Sequence, residues 1–389
     1  MRISSVLHYF LNRLTEKEDA AFSFPRIQQE RYLQRFSEPK DDIERSYFQY
    51  LCQMKIIRNP LIRLGMNLAS LPALLFYLLK SNDHDKKHED FAAVFFSDGK
   101  PSNIIPRSLK EQYSGIYVID GEKSESLNRT GKKYLLKIWR RYPFSWYFIL
   151  KTVLKLRYYC YVIDSFRPQA IIVCNEYSFT SSALTQFCRM NNVQHINVMH
   201  GEKLYFIRDS FFRFDRCYIW DPYYKELFCR LRAEPDQFVV EVPESLSFVR
   251  DGSAEKSVDY TYYLGGEKGE TLKKIVDSLA ALQQKGKKTA IRPHPRYSPL
   301  DELREIAGGM EIEDNKALSI EDSLIRTKNA ISLYSTVLNQ AYGNGVQVVI
   351  DDVSDQGRFS KLKELGYIML TKNNRLLSEV LGEKDEKTD

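Results

Sequence analysis

No two cysteines in this sequence form a Cys-x-x-Cys pair. The six present, Cys52, Cys160, Cys174, Cys188, Cys217 and Cys229, are scattered, most of them inside apolar runs. That pattern argues against a disulfide framework and predicts buried free thiols in a reducing compartment. No Asp-x-Asp stands at the end of a strand-like run. The adjacent pair Asp351-Asp352 does end one, but neighbouring strand residues point to opposite faces, which excludes a shared divalent metal there. The glycine-rich stretch GGEKG (265–269) lacks the Gly-x-Gly-x-x-Gly spacing of a dinucleotide site, and its expected use is close backbone approach to a ligand through Gly265 and Gly266. No internal repeat is visible. The N-terminal MRISSVLHYFLNRL has neither a long apolar core nor a small-residue cleavage site, so a secretory signal is not expected and a cytoplasmic location is. The most apolar run, LASLPALLFYLL (68–79), is about 12 residues and too short to span a bilayer.

What is present is an ordinary globular composition. The chain has 389 residues, 43% hydrophobic and 28% charged, with a net charge of +6. That length predicts two domains. The mild, scattered positive excess suits anionic ligands or an anionic membrane surface and argues against nucleic acid as a partner.

Residues 1–90 read as an irregular or helical segment of the first domain, closed by a solvated linker at 81–90. A strand–helix rhythm then runs over 91–245, with strands expected at 91–98, 115–120, 169–176 and 194–202. Helices are expected at 142–166, with a basic face, and at 181–192. After a polar stretch at 243–257 the rhythm restarts over 258–389. Alternating elements of this length mean parallel sheets with crossover helices. The fold class is therefore α/β, with two doubly wound Rossmann-like domains. Their facing crevice, at the carboxyl ends of the strands, is the expected ligand site.

Two strand ends of the second domain carry the chemistry. In IRPHPRYSP (291–299), Pro293 and Pro295 fix φ on either side of His294, with Arg292 and Arg296 flanking. An imidazole held this way can donate to a phosphate oxygen or act as a general acid. In ISLYSTVLNQAYGNG a strand ends near Tyr334, and Ser335 and Thr336 open a helix. Hydroxyls there can simply cap the helix, or they can join its free N–H groups in an anion site that needs no metal. Together the two stretches suit a nucleotide-phosphate leaving group.

RPHPR (292–296), YSTVLNQA (334–341) and YYLGGEKGE (262–270) resemble the His-Pro motif, the Ser/Ser-Thr motif and the start of the second domain in bacterial sialyltransferases of glycosyltransferase family 52. The resemblance covers roughly residues 258–352. It implies a GT-B fold and an inverting, metal-independent transferase without a cofactor. Such an enzyme moves sialic acid or a related nonulosonic acid from a CMP-sugar donor to a glycan or lipid-linked oligosaccharide acceptor of a capsule, O-antigen or lipooligosaccharide. It assigns His294, Ser335 and Thr336 to the donor phosphate, with Arg292, Tyr334, Pro295 and Arg296 around them. It also implies an acidic base, for which Glu267, Glu270 and Glu176 are candidates. A second segment, NVMHGEKLYFIRDSFFRFDRCYIWDPYYKELF (197–228), is similar to the His-Gly region of teichoic-acid glycerophosphotransferases, which use a CDP-glycerol-type donor. That would make His200 the base, although Glu202 stands where Thr-Pro is usual. A non-catalytic glycan-binding protein of the same fold is the remaining alternative, and it would not hydrolyse donor. The basic helix 146–163 and the apolar segment 68–79 either serve peripheral attachment at the inner face of the cytoplasmic membrane or are core helices of the first domain, and the second is the favoured reading.

Overall fold

The computed structural model describes residues 21–79, 89–120, 127–247 and 256–383. Most of the expected linker at 81–90, the N-terminal stretch and the centre of the polar stretch at 243–257 lie outside them. The chain divides into two compact units, Met1–Glu244 and Ser245–Asp389.

Among its described residues the first unit begins with three helices, α1 (Arg26–Leu33), α2 (Asp42–Ile56) and α3 (Pro60–Leu79). Asp41 caps α2 by accepting from the Glu44 N–H at 2.9 Å. Six strands follow: β1 (Ala93–Phe96), β2 (Ile116–Ile119), β3 (Ala170–Val173), β4 (Gln194–Val198), β5 (Arg216–Ile219) and β6 (Phe238–Val240). They form one parallel sheet in the order β2-β1-β3-β4-β5-β6. β1 and β3 are buried along their whole length. That explains why they read as continuous apolar runs rather than alternating ones.

The second unit holds β7 (Val258–Tyr263), β8 (Thr289–Arg292), β9 (Glu311–Ile312), β10 (Thr327–Ser332), β11 (Gln347–Ile350) and β12 (Arg375–Leu376). Their order is β12-β11-β10-β7-β8-β9, again parallel throughout. This is the doubly wound order of a mononucleotide-binding pair, with its reversal point between β7 and β10. Tyr262, Leu272, Ile275, Leu279, Ile291, Ile331 and Val349 form its core.

The structure departs from the sequence reading in three places. The apolar run does not stop at about 12 residues, because α3 spans 20. A basic helix, α4 (Arg129–Arg141), lies just before the expected one and was not anticipated. The expected basic helix is α5 (Trp146–Phe166), and it is a core element. Fourteen of its residues are buried, Phe148, Val153 and Leu156 among them, so it does not offer a basic face to a membrane. Its positive charges were legible in the sequence, but the helices that cover them were not.

Candidate functional site

Each unit gathers its chemistry-bearing residues at the carboxyl ends of its sheet. In the second unit β7 lies between β8 and β10, so the segments leaving these three strands emerge side by side. After β7 the chain runs through Leu264-Gly265-Gly266-Glu267 into a helix at Gly269–Gln284, and after β8 it runs through Pro293-His294-Pro295-Arg296. After β10 it passes Tyr334 and enters a helix at Thr336–Gly343.

One hydroxyl joins the first two segments. Ser298 Oγ accepts from the His294 N–H at 2.7 Å and donates to the Gly265 carbonyl at 3.0 Å. Asn315 donates to the Pro293 carbonyl at 2.8 Å, and the Gly269 N–H donates to Glu302 at 2.7 Å. The ring of His294 is oriented from within its own turn. The Arg296 N–H donates to Nδ1 at 3.1 Å, and the ring stacks on Tyr297 at 4.5 Å and 27°. With Nδ1 accepting, the neutral ring carries its proton on Nε2 and can donate from that atom.

Ser335 is the N-cap of its helix: it has extended backbone, and Oγ accepts from the Val337 N–H at 3.2 Å. The hydroxyl is thus used within the helix. The Ser335 and Thr336 side chains are half-buried, and Tyr334 packs edge-on against Tyr367 at 5.2 Å.

Other residues expected at the donor are engaged elsewhere. Arg292 is buried, and its guanidinium donates to Glu313 at 3.0 Å and to the Leu318 carbonyl at 2.9 Å. Glu313 also receives Ser323 and Arg326. Arg292 therefore braces the sheet edge beneath the His294 segment, and its charge is not turned to a ligand. The sequence gives no sign of this, because Glu313 lies 21 residues away. Arg296 and Pro295 are exposed. Glu270 is exposed and pairs with Lys274 one helical turn on, at 3.0 Å, which holds its carboxyl below the usual range. Glu267 folds back to accept from the Gly265 N–H at 2.7 Å, and burial pushes its carboxyl up. Asp351 is buried and bound to the Tyr262 hydroxyl at 2.7 Å, which is a structural role.

In the first unit the order reverses between β1 and β3, and the residues beyond β3 and β4 meet. Glu176 is fully buried, with Oε2 accepting from Asn197 at 3.1 Å and Oε1 ion-paired to Lys203. Asn197 also accepts from the Asn175 N–H at 2.7 Å, joining the two strand ends. Burial alone would raise the Glu176 carboxyl, but Lys203 and His200 outweigh it and hold it down to about 2. His200 is 30% exposed. Its Nδ1 is buried 3.8 Å from Glu176 Oε1, without a hydrogen-bond partner among the described residues. Burial lowers it to about 4, so the ring is neutral near pH 7. The sequence reading had Glu176 and His200 but not Lys203 or Asn197. The HGEK run was the available signal for Lys203.

No family model matches the sequence, and no curated protein matches it. Solved structures overlap with it loosely. The S. aureus MnaA–UDP co-structure shares 12% identity at a TM-score of 0.42, covering 70% of this chain and 87% of its own. The glycotransferase of kitacinnamycin gives 10% and 0.47, with 77% and 92% covered. The wall teichoic acid polymerase TagF gives 11% and 0.37, with 75% and 79% covered. At these scores nothing about activity follows, and the two-sheet architecture stands on its own strand order.

Proposed function

We propose that the chain is a glycosyltransferase whose second unit binds a CMP-sugar, sialic acid or a related nonulosonic acid, and delivers the sugar to a glycan acceptor. The observation that carries the reading is the bridge made by Ser298. It couples the His294 segment to the Gly265 turn at the reversal point of a nucleotide-type sheet, beside the helix that Ser335 and Thr336 open. Backbone N–H groups, a helix start and an imidazole whose Nδ1 accepts within its own turn are suited to a phosphate oxygen gaining charge. Arg296 supplies the exposed cation of this set, since Arg292 is consumed by Glu313.

In the reaction the acceptor hydroxyl oxygen bonds to the anomeric carbon while the bond from that carbon to the phosphate oxygen breaks. CMP leaves with the electron pair, and the hydroxyl proton passes to a base. Among the candidates, Glu270 is bound to Lys274 and Glu176 is held as a weakly basic carboxylate at about 2. His200, at about 4 and part-exposed, is the stronger acceptor on the first unit. Glu176, 3.8 Å from Nδ1, then acts through its charge, which favours the ring once it has taken the proton. The same observation keeps a second reading, transfer of a glycerol phosphate from a CDP-type donor with His200 as base.

Calorimetry of the full chain with CMP and UDP, with and without a chelator, tests the donor. CMP is expected to bind in either condition, and saturation at about 100 times its dissociation constant to add about 2.7 kcal/mol of stability. Preference for UDP, or a metal requirement, overturns the CMP assignment. Product analysis with CMP-sialic acid and CDP-glycerol separates the two readings.

A further inference from the structure

The outward face of α3 is apolar along its length. Leu61, Leu64, Leu68, Leu75 and Leu79 recur at helical spacing and are exposed, Leu79 to 84%, with Phe76 beside them at 57%. From Leu61 to Leu79 this stripe is about 27 Å long at 1.5 Å per residue. A soluble chain seldom leaves so continuous an apolar strip to water. The helix is long and apolar enough to cross a bilayer. Its other face, however, is committed to the first unit. Met66, Ser70 and Leu74 are buried, α3 packs along α5, and Arg157 of α5 donates to the Tyr77 carbonyl. Asn67 donates to the Phe144 carbonyl at 2.8 Å and accepts from the Tyr147 N–H at 3.1 Å. Crossing would break all of these contacts, whereas lying flat breaks none.

The surroundings of the stripe are basic. Those two Asn67 bonds hold the 144–147 turn against the helix, with Phe144 77% exposed. That turn ends α4, whose exposed side carries Arg129, Lys132, Lys133, Lys137 and Arg140 and no acid. At the start of α3 a hollow is lined by Lys55, Arg58 and Arg63, with Ser23 and Gln28, again without an acid. An apolar helix face flanked by Lys and Arg is the composition of an element lying in a membrane interface, with acyl chains against the leucines and lipid phosphates against the cations.

We propose that this surface of the first unit docks on an anionic lipid bilayer, with α3 in the plane of the interface. A lipid surface fits better than a second copy, because a like patch would set two sets of cations against each other. The proposal is independent of the donor chemistry.

The test is flotation of the full chain with vesicles of phosphatidylcholine alone and with about a third phosphatidylglycerol, at low and high salt. Binding to the anionic vesicles alone, reversed by salt, is expected. Lys133→Ala with Lys137→Ala should weaken partition about 25-fold, and Phe76→Glu about tenfold or more. Brominated acyl chains should quench Trp146, two residues past Phe144, which tests insertion without any substitution. Absence of binding by the folded wild-type protein overturns the proposal. So does binding unmoved by Phe76→Glu in a variant that keeps its melting temperature. Binding that appears only once residues 1–20 are removed, or closure of the face onto a second copy as concentration rises, overturns it as well.

Discussion

The two sheets end in opposite kinds of chemistry. Beyond β3 and β4 the first unit buries a charged group, Glu176, pairs it with Lys203 and sets a neutral His200 beside them. Beyond β7, β8 and β10 the second unit presents backbone groups, hydroxyls, the His294 ring and the exposed Arg296, with Arg292 tied to Glu313. A buried, already paired charge cannot easily neutralise a new one. The first arrangement therefore suits proton acceptance from a hydroxyl, and the second suits an arriving anion. The same α/β plan supplies both, because strand ends converge wherever a sheet reverses direction.

The largest effects should come from breaking the buried pairs. Lys203→Met leaves Glu176 buried without its ammonium and should cost about 3–5 kcal/mol in denaturant unfolding of the first unit. Lys203→Met combined with Glu176→Leu should recover most of that. Arg292→Met should cost less, since Glu313 keeps Arg326 and Ser323. Equal losses at the two sites would erase the contrast between the units.

Next is His294→Ala. Loss of one positioned donor to the leaving phosphate should lower turnover about 100- to 1000-fold with the melting temperature kept. Steady-state rates on one donor and acceptor pair decide it, and a near-native rate would make His294 only a turn residue. His200→Ala on the same pair should abolish transfer while leaving CMP binding unchanged.

Acid should separate the units in another way. His195 and His200 are both lowered by burial from 6.5, to about 3 and about 4. The unfolded chain therefore binds more protons between about pH 6.5 and 4, and the first unit loses stability as pH falls through that window. In the second unit the carboxyl raised by burial is Glu267, whose protonation favours the folded state, so Glu267 adds stability as the pH falls, as Asp42 does in the first unit against the larger effect of its two histidines. Its lowered carboxyls, such as that of Asp259, cost stability only below the ordinary carboxylate range. Hydrogen exchange followed unit by unit should show the first loosening at higher pH. Simultaneous loosening would refute the assignment.

The smallest expected effect is at Ser335. Removing its capping hydroxyl by Ser335→Ala should cost about 1 kcal/mol of stability. A loss of CMP affinity beyond that would show that the hydroxyl also serves the ligand.

Much of this was written in local pattern. The strand–helix alternation gave both parallel sheets, because each strand is a short apolar run bounded by turn residues. The Pro-His-Pro turn and the Ser-Thr helix start were visible because backbone restriction and capping are properties of neighbours in sequence. The two-residue strand β9 and the strand β12 were not legible, since elements that short carry no periodicity. Nor were the pairings that redirect charge. Arg292 and Arg296 look alike in sequence, yet only the folded sheet brings Glu313 to the first and leaves the second in solvent. The same holds for the two candidate membrane helices. Composition marked α5 as basic and the run in α3 as short, while packing buried the first and left one apolar face of the 20-residue second in water. Sequence by itself determined which segments become strands and helices, because that depends on residues a few places apart. Tertiary structure decided which charges remain free and which apolar faces stay in water, because both depend on partners brought together from distant parts of the chain.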